Sequence, residues 1–139
     1  MIVMSWTFLD YVDASGSSQI ATWLADLPPS TRLKVRSKLL WVIVNHTALG
    51  QPLSPPFFEA LSGSHSGLIA IRFQVLGVAY RPLCCYGPRT GDVTLLAGAT
   101  EHNYHYRPPG VRDTALARRA EVRADGKRAM PTCLFEETN

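Results

Sequence analysis

The sequence predicts an α+β domain in which helices pack on one face of an antiparallel sheet of about four strands, in the order β-α-α-β-β-β-α. Three observations carry this. The run from Gly67 to Gly98 holds three short apolar segments separated by glycine-bearing turns at Gly77 and Gly87–Gly91, the pattern of a hairpin-linked meander. Two stretches ahead of it repeat apolar residues at helical spacing. Helices grouped before consecutive strands imply a segregated α+β arrangement and not alternating βαβ units.

The elements follow in order. Trp6-Thr-Phe-Leu-Asp-Tyr-Val alternates weakly and is rich in β-formers, so a first strand is expected near residues 3–12. Asp13-Ala-Ser-Gly-Ser-Ser is a turn that supplies an N-cap serine. Ile20, Trp23, Leu24 and Leu27 then mark a short amphipathic helix ending at Pro28-Pro29. A second helix opens at Pro29 and runs to about His46, with Leu33, Leu40, Ile43 and Val44 expected as its buried stripe. Its first half carries Arg32, Lys34, Arg36 and Lys38 without an acid. Cations at a helix start are disfavoured by a few tenths, roughly 0.3 kcal/mol or more each. Either a partner or plain solvation explains them.

Gly50-Gln-Pro-Leu-Ser-Pro-Pro is a Pro-rich connection. Phe57 to Leu61 reads as a short turn or strand that plugs the core, and residues 62–67 as a flexible loop. In the second meander strand Pro82 cannot donate a ladder hydrogen bond, which implies an edge position or a bulge just beyond Arg81. Residues 99–110 are expected as a loop rich in His, Tyr and Pro. Val111 to about Arg123 reads as a final helix, with Leu116 and Ala120 inward and Arg118, Arg119 and Arg123 outward. Residues 1–128 form a single domain, followed by a tail at 129–139.

Composition narrows the class. At 139 residues, 46% hydrophobic and 18% charged, the chain suits one folded domain. No apolar stretch approaches the roughly 20 residues of a membrane span, and the start lacks the basic region of a secretory signal. Three cysteines, two of them adjacent at Cys84-Cys85, suit reduced thiols in a cytoplasm. The adjacent pair reads as buried packing. No CxxC or HExxH spacing appears, so neither a metal nor another cofactor is indicated. Net charge is only +3, but residues 1–31 hold three Asp and no Lys or Arg, and all 14 basic residues fall between Arg32 and Arg128. That distribution suits an RNA or phosphate-rich partner and equally an ordinary solvated surface.

Two arginines stand in adjacent apolar strands, Arg72 and Arg81. A guanidinium there is costly unless paired or facing a site, and its planar fork suits bidentate phosphate binding. Alternation puts Arg72 on the face opposite Ile69, Ile71, Phe73 and Val75, and Arg81 with Ala79, Leu83 and Cys85. Pairing with Glu59 or Asp92 is the structural alternative. Among the four histidines, His46 sits at a helix C-terminus, His65 could reach a cleft, and His102 and His105 stand in the 99–110 loop. Their unperturbed pKa near 6.5 suits proton exchange at neutral pH. Tyr104 and Tyr106 suit base stacking or capping of the core, and Glu101 is a further candidate base.

Leu27-Pro28, Gly50-Gln-Pro-Leu, Glu59-Ala-Leu61, Gly67-Leu-Ile-Ala-Ile-Arg72, Ala79-Tyr80-Arg81, Thr94-Leu-Leu-Ala-Gly98 and Pro108-Pro109 occur in that order. With them the chain resembles, from roughly Phe8 to Val122, the RelE/HigB superfamily of toxin-antitoxin ribonucleases, in its phage-derived, gp49-like branch. The resemblance implies a microRNase-like fold and metal-independent cleavage of mRNA, ribosome-dependent and inhibiting translation and growth. It also implies a cognate antitoxin of helix-turn-helix type, and no membrane. Arg72 and Arg81 would hold the phosphate, and His102 or His105 would exchange protons. His105-Tyr106 is similar to a His-Tyr pair that some members use. Arg32, Arg36, Lys38, Tyr104, Arg107, Arg118 and Arg119 would contact RNA by salt-sensitive interactions. Family members usually carry a Phe and a Lys pair where Ala99-Thr-Glu101-His102 stands here, and often Lys at Glu59. The alternative is therefore a catalytically inactive binding module of the same fold, such as a phage-encoded inhibitor of a host protein.

Overall fold

The computed structural model describes residues 6–46 and 52–136. Residues 3–5 of the expected first strand, Gly50-Gln51 and Glu137 lie outside the described residues. The class is α+β, but the strands form two sheets, of which the larger is six-stranded and mixed, and the helices cover both faces of that larger sheet.

β1 (Thr7–Tyr11) is followed by α1 (Gln19–Ala25), α2 (Pro29–His46) and β2 (Phe58–Ala60). Then come β3 (Ile69–Ile71), β4 (Phe73–Val75), β5 (Val78–Tyr80), β6 (Leu83–Tyr86) and β7 (Asp92–Ala97). β8 (Thr100–His102), β9 (His105–Arg107), α3 (Val111–Ala124) and β10 (Ala129–Pro131) complete the order. The strands form a six-stranded sheet, β10-β1-β7-β6-β3-β2, and a four-stranded sheet, β4-β5-β8-β9. β1 and β7 run parallel and the other pairs antiparallel.

The expected meander is present but split. Its first strand breaks at Arg72 and its second at Arg81-Pro82, so each contributes one half to each sheet. The break beyond Arg81 follows from the missing N–H of Pro82. Next to it, Leu83 pairs with Ala97 while Cys84 pairs with Leu95, so β7 carries one extra residue, Leu96, as a bulge. The stretch expected as a loop at 99–110 instead holds the β8–β9 hairpin. Its two turn residues, Asn103 and Tyr104, sit at φ 50° and 67°, as the primed hairpin turns require. Ala129–Pro131, in the stretch read as a tail, pairs with β1 and forms the sheet edge.

Pleating turns alternate residues to two cores. Phe8, Ile69, Ile71, Cys84, Val93 and Leu95 face Ile20 and Leu24 of α1 and Val35, Leu39, Val42 and Ile43 of α2. Leu68, Ala70, Leu83, Cys85 and Leu96 face Val111, Ala115 and Val122 of α3. This two-sided cover corrects the expectation of helices on one face. It also explains why β6 and β7 read as near-continuous apolar runs.

Local chemistry sets the helix ends. Ser18 caps α1 by accepting from Ala21 N at 3.1 Å, and Pro29 opens α2. The buried face of α2 differs from the expected one: Leu33 is 60% and Val44 57% exposed. Apolar residues occur all round this helix, so periodicity could not choose between faces. In α3 Ala120 is exposed and Leu116 half-buried, with Val111, Ala115 and Val122 carrying the contact. Asp10, 1% exposed on β1, accepts from Ser18 Oγ at 2.8 Å and Cys133 N at 2.9 Å, which ties α1 and the C-terminal segment to one strand. Among the described residues no helix is long and apolar enough to cross a membrane.

The ring of Trp23 lies directly on Gly98, where a Cβ would meet Trp23 Cδ2 at 1.8 Å. Gly98→Ala is expected to destabilise the domain by at least about 1–3 kcal/mol through overpacking. Urea denaturation should show a lower midpoint, and Trp23→Leu in the same chain should recover part of it.

Candidate functional site

The strand breaks build the site. Arg72 N donates to Phe57 O at 2.8 Å and Arg81 N to Ala99 O at 2.8 Å. Between them Ile71 N donates to Pro82 O, also at 2.8 Å. The two arginines therefore leave the backbone at the seam where one sheet hands over to the other. They line one open cleft of about 440 Å³, with Pro55, Pro56, Phe57, Phe73 and Gln74. Their convergence is the part of the expected site that the structure brings together.

Each arginine has a carboxylate. Arg72 Nη1 lies 2.5 Å from Glu59 Oε2 on the edge strand β2, with both side chains nearly half exposed. Exposed pairs contribute about 0–1 kcal/mol, so this pair can open at little cost. Arg81 is 8% exposed; its Nε lies 3.1 Å from Glu101 Oε1 and its Nη1 donates to Tyr80 O at 2.9 Å. Arg81 is thus held in place and Arg72 is the adaptable one.

Tyr106 joins this group. It pairs with Glu101 across the hairpin, and Glu101 pairs with Ala79, so Glu101, Tyr106 and Arg81 share one pleat face. Burial raises the Tyr106 pKa above its ordinary value and Glu101 adds to the rise, while Arg81 and Arg112 oppose it. Arg112 stands 4.9 Å over the phenol ring, beside a cavity of about 460 Å³ lined by His105, Tyr106, Arg107, Pro109, Gly110 and Arg112. Glu59 and Arg112 were not among the expected site residues, and Glu101 stood only as a candidate base. The available signal was one carboxylate in each strand neighbouring an arginine strand, which becomes meaningful only once the register is known.

The histidines are placed differently from expectation. His102 and His105 pair across the turn, on the side of the pleat opposite Glu101 and Tyr106, so they point away from Arg81. Both are exposed, and Tyr104 at the hairpin tip is 94% exposed. His65 Nε2 lies 3.0 Å from Asp113 Oδ1, which ties the 62–67 segment to α3.

Several expected RNA contacts hold the fold instead. Arg32 donates to the carbonyls of Leu24, Ala25 and Leu27 and so caps α1. Arg36 donates to Cys133 O and Glu136 O. Arg118 donates to Leu96 O and stands 5.1 Å over the Tyr11 ring. Arg119 lies under Gly67, where a Cβ would meet its Cζ at 2.9 Å. Lys38 is different: its Nζ stands 4.2 Å over the exposed ring of Trp41. Arg107 is exposed at the mouth of the second cavity.

The thiols stand apart from this surface. Burial raises Cys84 well above the ordinary range and Cys85 to about 11. Burial and the neighbouring Asp10 carboxylate push Cys133 up to about 12. Among the described residues no three His, Cys, Asp or Glu side chains converge as a metal-binding set. Comparison with family models, curated proteins and solved structures finds no match to this chain.

Two outcomes are expected. With folded pKa values above the unfolded value of about 8.5, Cys85 and Cys133 remain thiols at pH 8, and native protein should resist iodoacetamide that labels the urea-unfolded chain, as mass spectrometry would show. Tyr106 favours its neutral form for the same reason of sign, so the phenolate absorbance of wild type minus Tyr106→Phe should develop above pH 10.

Proposed function

We propose that the chain is a metal-independent endoribonuclease of the RelE/HigB type, acting on mRNA at the ribosome and held in check by a cognate antitoxin. The supporting observation is the convergence of Arg72 and Arg81 in one open cleft with carboxylates and a phenol beside them. Cleaving RNA through its own 2′-hydroxyl needs a base for that proton, cations for the crowded phosphorane, and an acid for the departing 5′-oxygen.

Arg72 and Arg81 supply the cations. Glu59 and Glu101, each already beside a guanidinium, are the proton acceptors within reach. Tyr106 keeps its proton and faces the same side as Arg81, so it can donate to the developing alkoxide, a much stronger base. This assignment replaces His102 and His105, which the hairpin turns away. A RelE-like strand order belongs to the same proposal.

The prior pairing of both arginines favours the second reading, a binding module that has lost catalysis, because Glu59 and Glu101 occupy the positions a phosphate would take. Induced expression separates the two. The enzyme reading expects growth arrest with cleaved mRNA, relieved by Arg81→Ala, whose loss should slow cleavage by about 10²–10³. Harmless expression with intact mRNA, and recovery of one protein partner without ribosomes, is the outcome that defeats it.

A further inference from the structure

We propose that the cavity between β9 and the start of α3 binds a small oxyanion carrying two negative charges, held by Arg107 and Arg112. This site lies outside the Arg72–Arg81 cleft, and the proposal holds whether or not the chain cleaves RNA.

The hairpin and the helix supply the cations from two sides. Alternation along β9 puts His105 and Arg107 on one pleat face and Tyr106 on the other. Arg112 comes from the first turn of α3, and its guanidinium stands 4.9 Å over the Tyr106 ring. All four residues line the same cavity of about 460 Å³, and no carboxylate lines it with them. Among the described residues Arg72, Arg81 and Arg89 each have an ion-pair partner, whereas neither Arg107 nor Arg112 has a carboxylate. The nearby acids are engaged elsewhere: Asp113 lies 3.0 Å from His65, and Glu101 is held by Arg81.

Two guanidiniums on one cavity repel each other, and a dianion compensates both. Their planar forks meet oxyanions with paired N–H bonds, and His105 adds a ring N–H. An internal RNA phosphate carries one charge, so it compensates only one of them. The cavity is also coupled to Tyr106. Burial, then Glu101 and Glu59, raise the Tyr106 pKa, while Arg81 and Arg112 lower it. An anion on Arg112 offsets that lowering, so an occupied site holds the phenol proton more firmly.

The test titrates the full chain at pH 8 and low ionic strength with inorganic phosphate, succinate and dimethyl phosphate, read by calorimetry. Phosphate or succinate should bind more tightly than singly charged dimethyl phosphate, and the tighter of the two assigns the ligand as a phosphomonoester or a dicarboxylate. Arg107→Gln and Arg112→Gln, with unchanged circular dichroism spectra, should each weaken that binding at least about tenfold, and Arg72→Gln should leave it intact. Arg107 is exposed, so its variant decides the matter if Arg112→Gln does not fold. The phenolate absorbance of wild type minus Tyr106→Phe should move to higher pH when the anion is added. On an Arg112→Gln background the same difference should stay where it is. Undiminished affinity in either folded variant overturns the proposal, as does the absence of binding, or equal binding of dimethyl phosphate. Loss of binding in Arg72→Gln also overturns it, because the anion then sits in the other cleft.

Discussion

A chain that passes from one sheet to another must leave its ladder, and between strands joined without a helix this domain does so three times, at Arg72, at Arg81-Pro82 and at Gly98-Ala99. Pro82 has no N–H to offer, so the second long strand cannot continue through it. Its carbonyl instead accepts from Ile71, while Arg81 N turns to Ala99 and Arg72 N to Phe57. Those three bonds hold the two sheets together at a seam. The residues of the proposed ribonuclease site lie along that seam: both guanidiniums, the edge-strand carboxylate Glu59, and the hairpin face that carries Glu101 and Tyr106.

The same geometry sorts the cations. A guanidinium that reaches backbone carbonyls acts as a cross-link, and Arg32, Arg36 and Arg118 do this at a helix end, at the C-terminal segment and at the bulged strand. Removing one would loosen local structure whatever the partner. Arg72 and Lys38 make softer contacts, an exposed carboxylate and an aromatic face, which leaves them available. Counting basic residues therefore overstates the surface that can meet a phosphate chain.

Local signals in the sequence were legible. The serine cap of α1, the start of α2 at Pro29 and the interruption beyond Arg81 each follow from one residue's backbone or side-chain chemistry. Non-local choices were not. α2 offers Leu33, Val35, Trp41 and Val44 around its whole circumference, so only the sheet beneath decides that Val35 goes in and Leu33 stays out. The parallel β1–β7 pair and the β10 edge depend on partners over 80 residues away. The β8–β9 hairpin turns on Asn103-Tyr104, without the glycine that marks such turns. That unseen hairpin is also why the histidines were expected at the arginines: a one-residue alternation decides between His102 and Glu101.

The position of β1 has a consequence in time. Its residues 7–11 are paired on one side by 92–95 and on the other by 129–131, and its Asp10 takes a hydrogen bond from Cys133. β1 thus waits for residues 92–95 before one edge is satisfied and for residues 129–131 before the other. Closing contacts of such sequence separation slows folding. A nascent chain therefore exposes an unpaired strand until those partners are made, and any truncation that removes residues 129–136 leaves one edge of β1 open in the finished domain.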